Sequence, residues 1–548
     1  MLPSVSAGTA GAVGRPSKSL FAKKAAASPQ ALMTRSRSRV GVIGLTTATA
    51  LVYATFGLVH FRRFRDGTFD LVIFDQAVRN YAHLHAPASM ARGVANGIST
   101  HFNVLGDHWS PILAVLAPLY WIHDGPASLI VAQALLFALA IPPMWIYARR
   151  LLGPRAAYFV CVAYALSLPI ASALNFDFHE VAFVPLLTAV MAERLQAGRR
   201  RHAILAATAL LLVKEDMGLL VAGFGIYLFL IRQWRIGLAF MVGGVAATWL
   251  ATRVLIPAFG GSATFYWAYG ELGNSVASAA WHAVIDPLHT LHILVTPWVK
   301  VATVLSLLAP LGFLALASPL VVAAVPLLLE RMLATGFPTW WTSGYHYDAF
   351  IVMVVMLAAA DGAARIQRRL DVRWPRLRLR LPAGRSAGLT SAWAVAICVA
   401  AIAALPWTPL GQILHPKFYT VNARISAAEM AAAMVPDRAL VEAADYVGPR
   451  LSGRAQVLLL DGTPRWAPWV VADTRGLDFP FCSPADQAHL VSYLEQHGYT
   501  PVFARDGYVV LRRPADARTQ AALRHPVPAS RLRGNLCPRY QTLSPGLR

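Results

Sequence analysis

The chain has 548 residues, of which 56% are hydrophobic and only 14% charged, and its mean hydropathy is +0.50. Soluble domains carry about 25% charged residues, so an ordinary soluble protein is excluded. The net charge of +22 would suggest nucleic acid, but all of it falls in five segments, 15–39, 149–155, 193–201, 232–235 and 365–385. Each abuts an apolar span, as cytoplasmic loops do under the positive-inside rule. The rest of the chain is balanced, so no nucleic-acid partner is expected.

Residues 1–38 are rich in Ala, Ser, Gly and basic residues without apolar periodicity, the composition of a disordered basic cytoplasmic tail. The first apolar stretch, 40–59, is too extended for a simple cleaved signal and reads as a retained anchor. Further apolar stretches at 126–148, 156–174, 180–193, 203–215, 217–231, 236–257, 299–316, 318–335, 347–363 and 388–405 bring the expectation to about eleven transmembrane helices in a membrane domain spanning 39–411. With the amino terminus inside, an odd count puts the carboxyl-terminal region outside. The first extracytoplasmic loop, 60–125, is long. Within it, Pro111 to His123 is too short to cross and reads as a helix in the outer interface, with Tyr120 and Trp121 at headgroup depth.

After Leu405 proline and charge return, and a small extracytoplasmic α/β domain is expected over 412–548. Val457–Leu460 and Trp469–Val471 read as buried strands, and 484–497 as an amphipathic helix ended by Gly498. Thr500–Ala504 and Tyr508–Leu511 flank Arg505-Asp506-Gly507, a strong hairpin signal. No glycine-rich phosphate loop is present. Cys161 and Cys398 fall in spans, whereas Cys482 and Cys537 are the pair of the carboxyl-terminal domain. If that domain is outside, they are candidates for a disulfide, the alternative being two unpaired thiols.

Chemistry-bearing residues concentrate in the outer loops and at span ends, where ionisable groups are costly unless they face a cavity. Asp70 and Asp75 lie on an amphipathic stretch, Thr68 to Asn80. Asp70 could simply cap that helix and Asp75 could pair with Arg79 one turn on. Alternatively, one of them is a general base or a ligand for a divalent metal at the mouth of a cavity. Asp107 and His108 close the same loop, with helix capping as the alternative for His108. Asp177, His179 and Glu180 put three ionisable groups into one turn. Lys214, Glu215 and Asp216 interrupt an apolar run, either as an internally neutralised pair joining two half-helices or as a substrate site in which Lys214 meets a phosphate. Tyr345, His346 and Asp348 precede another span on the outer side. Asp286, His289 and His292 have metal-compatible helical spacing of a kind that arises readily by chance.

The segments FDLVIFDQAVRNYAH, GDHWSPILAVLAPLYW, FDFHEVAFVPLL, LLLVKEDMGLL and GYHYDAFIV resemble, in that order, the motifs FDLGIFDQ, HFSP, FHPE, KED and YHY of a bacterial family of predicted membrane proteins known only as a domain of unknown function. The resemblance runs from about residue 40 into the carboxyl-terminal domain. Val72 stands in place of the family's glycine, and the proline between His179 and Glu180 is missing. That family looks similar to the GT-C glycosyltransferases, multi-span enzymes that use polyprenyl-phosphate sugars and carry an acid in their first extracytoplasmic loop. The resemblance implies a bacterial cytoplasmic-membrane protein with its site at the outer face, and Asp70 or Asp75 as base or metal-binding acid. It further implies Lys214 on donor phosphate, with His179, Glu180 and His346 lining the cavity and membrane lipid and the lipid-linked sugar as partners. A transporter or flippase using Lys214, Glu215 and Asp216 is the alternative, although no internal repeat supports it, and a non-enzymatic scaffold is a third.

Overall fold

The computed structural model describes residues 29–262, 264, 266–373 and 388–528. Met1–Gly41 forms one unit, in which helical backbone begins at Pro29, inside the expected tail. The fold below is that of the second unit, Val42–Arg548.

It is mostly helical among the described residues, with one small sheet near the carboxyl terminus. Among the described residues six helices are long and apolar enough to cross a membrane: Arg39–Arg62, Pro126–Leu152, Pro154–Asn175, Trp234–Ala258, His346–Arg373 and Gly388–Trp407. A seventh arises if Pro287–Val295 and Val299–Leu311, bent by 70°, count as one span. The expected eleven are not reached, for a local reason. The stretches near 180, 203 and 217 fold into helices of 14, 11 and 14 residues, Phe183–Gln196, Arg200–Leu210 and Met217–Leu230. At 1.5 Å per residue they rise only about 16–21 Å, short of a hydrocarbon core of about 30 Å. Near 318 the chain makes a 3₁₀ turn before the nine-residue helix Val325–Leu333.

The largest apolar core joins these helices, and His346–Arg373 is its most enclosed span, 89% buried. Trp234–Ala258 is only 22% buried and lies at the edge. It is held by backbone contact with Met217–Leu230: a Cβ added to Gly218 would stand 2.1 Å from the Gly244 carbonyl oxygen, and one on Gly244 would stand 2.3 Å from that of Gly218. Small residues permit such close approach, the usual way helices associate in lipid.

The carboxyl-terminal sheet has five strands, β1 (Leu440–Ala443), β2 (Gln456–Leu459), β3 (Trp469–Asp473), β4 (Thr500–Arg505) and β5 (Tyr508–Arg512), in the order β2-β1-β3-β5-β4. β1 pairs in parallel with β2 and β3, and β5 antiparallel with β3 and β4. The hairpin turn has Asp506 at φ 50° and Gly507 at φ 91°, the positive angles that make Asp-Gly its natural sequence. The helix Pro484–Gln496 begins in a capping box at Ser483 and Asp486. β1 has no alternating signature, since it is central and largely buried, and sequence patterning misses it.

The first loop and the sheet share one apolar core. Phe64, Val72, Ile73, Ala77, Ala91 and Val104 pack in the same cluster as Val441, Val457, Val471 and Val510. The stretch expected to lie in the outer interface forms a 3₁₀ turn, Pro111–Leu116, and a short helix, Ala117–Tyr120. There Trp121 is exposed but Tyr120 is buried, a departure from the expected headgroup position. The cause is Asp75, whose carboxylate accepts the Tyr120 hydroxyl at 2.7 Å.

Candidate functional site

A cavity of about 1640 Å³ opens among the first loop, the ends of several helices and the rim of the sheet. Its volume exceeds the roughly 300–1,000 Å³ of drug-sized sites. The residues singled out in sequence converge on it unequally. Asp70, His108, His179, Lys214, Glu215, Asp216, Tyr345 and His346 line it, whereas Asp75 and Glu180 do not.

The two acids of the first motif part because of where the backbone turns. Asp70 lies on a π-helical turn, Thr68–Val72, whose N-cap is Gly67. It does not cap the helix, and its side chain is 29% exposed, with His179 Nε2 at 3.4 Å. Asp75, on the following helix Ile73–Ala82, is fully buried. It pairs with Arg79 at 2.9 Å and accepts from Tyr120 and from Ser452 of the sheet region. Burial pushes its carboxyl up, and Arg79 and the two hydroxyls offset only part of that.

His179 stacks on His346 with ring centroids 3.9 Å apart, and Phe176 lies 5.2 and 5.4 Å from the two rings. Tyr345 meets Phe176 edge-on at 4.9 Å. His346 Nδ1 is buried without a hydrogen-bond partner. This builds an aromatic wall on His179, whose Nε2 meets Asp70, and leaves the Nδ1 of His346 unpaired within it.

The Lys214–Asp216 segment is a non-helical turn ahead of Met217–Leu230. Lys214 donates to Glu180 at 2.8 Å rather than to its neighbour Glu215. Glu215 instead receives His108 Nδ1 at 2.8 Å and the Trp109 amide at 3.0 Å. His108 is held above the usual histidine range: burial and Lys214 lower it, and Glu215 together with Asp107 outweighs both. Arg92 and the Tyr266 hydroxyl meet Asp107 at 2.7 and 2.8 Å.

Several wall residues carry little signal in the sequence. Arg253, exposed on a π-helical turn within Trp234–Ala258, lines the cavity; an arginine inside a predicted span was its one legible sign. Arg424 and Asp445 come from the sheet region, with nothing in the sequence to link them to residue 70. Asp177 accepts the Gly67 amide at 2.9 Å. Its carboxyl is pushed well above the ordinary range by burial, then by the nearby Asp66, Asp70 and Asp445.

Among the described residues no group of three or more His, Cys, Asp or Glu is placed to hold a metal ion. Asp286 serves as the cap of Pro287–Val295, accepting the His289 amide at 3.0 Å. Cys161 and Cys398 are free and buried. Of the candidate pair, Cys537 lies outside the described residues.

Fold and cavity together define a multi-helix membrane protein with a large chamber, lined by apolar and aromatic residues and by charged groups of both signs, between its helix ends and its sheet. The chain belongs to the family described as "predicted membrane protein (DUF2079)", whose model matches residues 61–510. Among solved structures it is similar to ArnT from Cupriavidus metallidurans bound to undecaprenyl phosphate, at 14% identity over 87% of this chain and 98% of that one, with a TM-score of 0.49. It is also similar to the archaeal oligosaccharyltransferase AglB from Archaeoglobus fulgidus in complex with an inhibitory peptide and a dolichol-phosphate, at 11% identity over 88% and 77% of the two chains, with a TM-score of 0.43. At such identity and superposition the likeness assigns no activity. No curated protein matches the sequence.

Proposed function

We propose that this protein transfers a sugar from a polyprenyl-phosphate donor to an acceptor hydroxyl at the extracytoplasmic face of a bacterial cytoplasmic membrane. The substrate class comes from the motif resemblance. The observation that carries the reading is the position of Asp70, a partly exposed carboxylate in a chamber that also reaches the weakly buried span Trp234–Ala258 through Val245, Trp249 and Ile256. A long apolar tail could stay against that span while its head group meets the carboxylate.

In this mechanism Asp70 accepts the acceptor's hydroxyl proton as the oxygen attacks the anomeric carbon. The bond from that carbon to the phosphate oxygen breaks, and its electron pair leaves with the polyprenyl phosphate. Arg253 and Lys214 are the cavity cations assigned to the phosphate, Arg253 being the less neutralised, since Lys214 is tied to Glu180.

Orientation is supported by the two ends of the same helices. Ala349–Arg373 starts beside His346 and ends in Arg365, Arg368, Arg369 and Arg373, a rise of about 37 Å over its 25 residues. Phe183–Gln196 starts beside His179 and Glu180, and at its far end Glu193 meets Arg150 at 2.5 Å. The arginine-rich ends therefore lie away from the cavity, which the positive-inside rule puts outside. On this reading 412–548 is an extracytoplasmic α/β domain and 39–411 the membrane domain.

The test is transfer by the purified protein in lipid nanodiscs from radiolabelled polyprenyl-phosphate sugars to membrane and cell-wall acceptors. Transfer that falls at least a hundredfold in Asp70→Asn supports the reading. Undiminished transfer in that variant removes Asp70 from the mechanism.

A further inference from the structure

We infer that Asp445, in the carboxyl-terminal region, is a positioning residue for Asp70, capping from far along the same chain the turn that carries it. This rests on the transferase reading above for its kinetic consequence, but the capping itself does not.

A helical turn begins with backbone amides that have no partner within the helix, and a side chain at the N-cap normally accepts from one of them. The N-cap of Thr68–Val72 is Gly67, which has no side chain to do so. Asp445 supplies what is missing from 377 positions further along the chain. Its carbonyl accepts the Thr68 amide at 2.8 Å and the Thr68 hydroxyl at 2.6 Å, and its Oδ1 accepts the Phe69 amide at 3.0 Å. Asp445 is in turn oriented from within its own region, its amide donating to Asp478 Oδ2 at 2.7 Å.

Two glycines make the approach possible. A Cβ at Gly67 would stand 2.8 Å from Asp445 Oδ2, and one at Gly448 would stand 1.9 Å from the Thr68 hydroxyl. Neither position has a positive φ, so the requirement is space. The same helix is fastened a turn later, where Ser452 donates to Asp75. Asp70 thus sits on a turn whose start is capped by Asp445 and whose continuation is anchored by Ser452. The carboxyl-terminal region acts on the chemistry by fixing where that carboxylate points, and small displacements of a reacting group are costly in rate.

The experiment compares wild type with Asp445→Ala and Asp445→Asn, the latter keeping an acceptor oxygen without the charge. Amide hydrogen exchange of the peptide covering residues 66–74 is measured on the intact protein in nanodiscs, together with kcat and donor KM. The expected result is that Asp445→Ala speeds exchange in that peptide about tenfold or more and lowers kcat about tenfold, with KM within about twofold. Asp445→Asn should restore both, because a cap needs only an acceptor. Unchanged exchange in Asp445→Ala, or an Asn variant as defective as the Ala variant, overturns the inference. If Asp445→Ala does not fold, Gly67→Ala loosens the same contact from the other side, and unaltered exchange in it overturns the inference equally. If the wild type transfers no sugar, the transferase reading falls, and the exchange measurements alone decide whether Asp445 caps the turn.

Discussion

Replacing Asp70 and Asp75 separately by Ala should split one motif into a chemical half and a structural half. Asp75 is fully buried between Arg79, Tyr120 and Ser452. Its removal strands the Tyr120 and Ser452 hydroxyls, each at about 1–3 kcal/mol. Arg79 is not stranded, because Asp124 remains at 2.6 Å, so the full 3–5 kcal/mol of a broken buried pair does not apply and the total is on the order of 3 kcal/mol. The unit that holds Asp75 spans about 500 residues; at about 2.1 cal/mol/K per residue its unfolding entropy is about 1 kcal/mol/K, so each kcal/mol moves the unfolding midpoint by about 1 °C, which predicts a fall of about 3 °C. Asp70 has one contact at 3.4 Å and a partly exposed side chain, so its removal should cost within about 0.5 kcal/mol and lower transfer at least a hundredfold. The assay is thermal unfolding of the purified protein followed by intrinsic fluorescence, with sugar transfer measured well below both midpoints. A midpoint for Asp75→Ala equal to wild type, or one for Asp70→Ala as low as that of Asp75→Ala, would refute the division.

Three further outcomes are expected. Lys214→Met leaves Glu180 buried and unpaired and should destabilise by about 3–5 kcal/mol, whereas adding Glu180→Gln should recover more than half of that; a double variant no better than the single would show that the pair at 2.8 Å is not coupled. Burial pushes Glu442, central in the sheet, up to about 7. A carboxyl raised in the folded state stabilises fully below its unfolded value of about 4.3 and loses that contribution as pH rises through 7. Stability of the wild type should thus fall relative to Glu442→Gln between pH 4.5 and 7, by on the order of 3 kcal/mol, and parallel unfolding-versus-pH curves for the two proteins would contradict it. For the proposed Cys482–Cys537 disulfide, alkylation under denaturing conditions should modify two cysteines without reductant and four with it; four in both cases would mean there is no bond.

The helices were largely legible because hydropathy and charge are one-dimensional signals. Every apolar stretch expected to cross has a helix within it, and the errors lie in length, where 180–193, 203–215, 217–231, 299–316 and 318–335 prove short or broken. The Asp506-Gly507 hairpin was equally local. β1 was not, because a short buried central strand has no alternation to read. The site motifs could be found as clusters of costly charge, but their partners could not. Lys214 looked as if it would neutralise Glu215, and the fold gives it Glu180 instead.

Composition, apolar run length and arginine distribution, each a sum over neighbouring residues, therefore determined by themselves that this is a multi-span membrane protein and pointed to which of its faces carries the ionisable clusters. Only the tertiary structure decided that Asp70 lines the chamber while Asp75 is sealed against Ser452, and that Asp445 caps a turn 377 residues before it. The physical reason is that a carboxylate's role depends on which donors and how much water surround it, and those are set by packing between segments far apart in the chain.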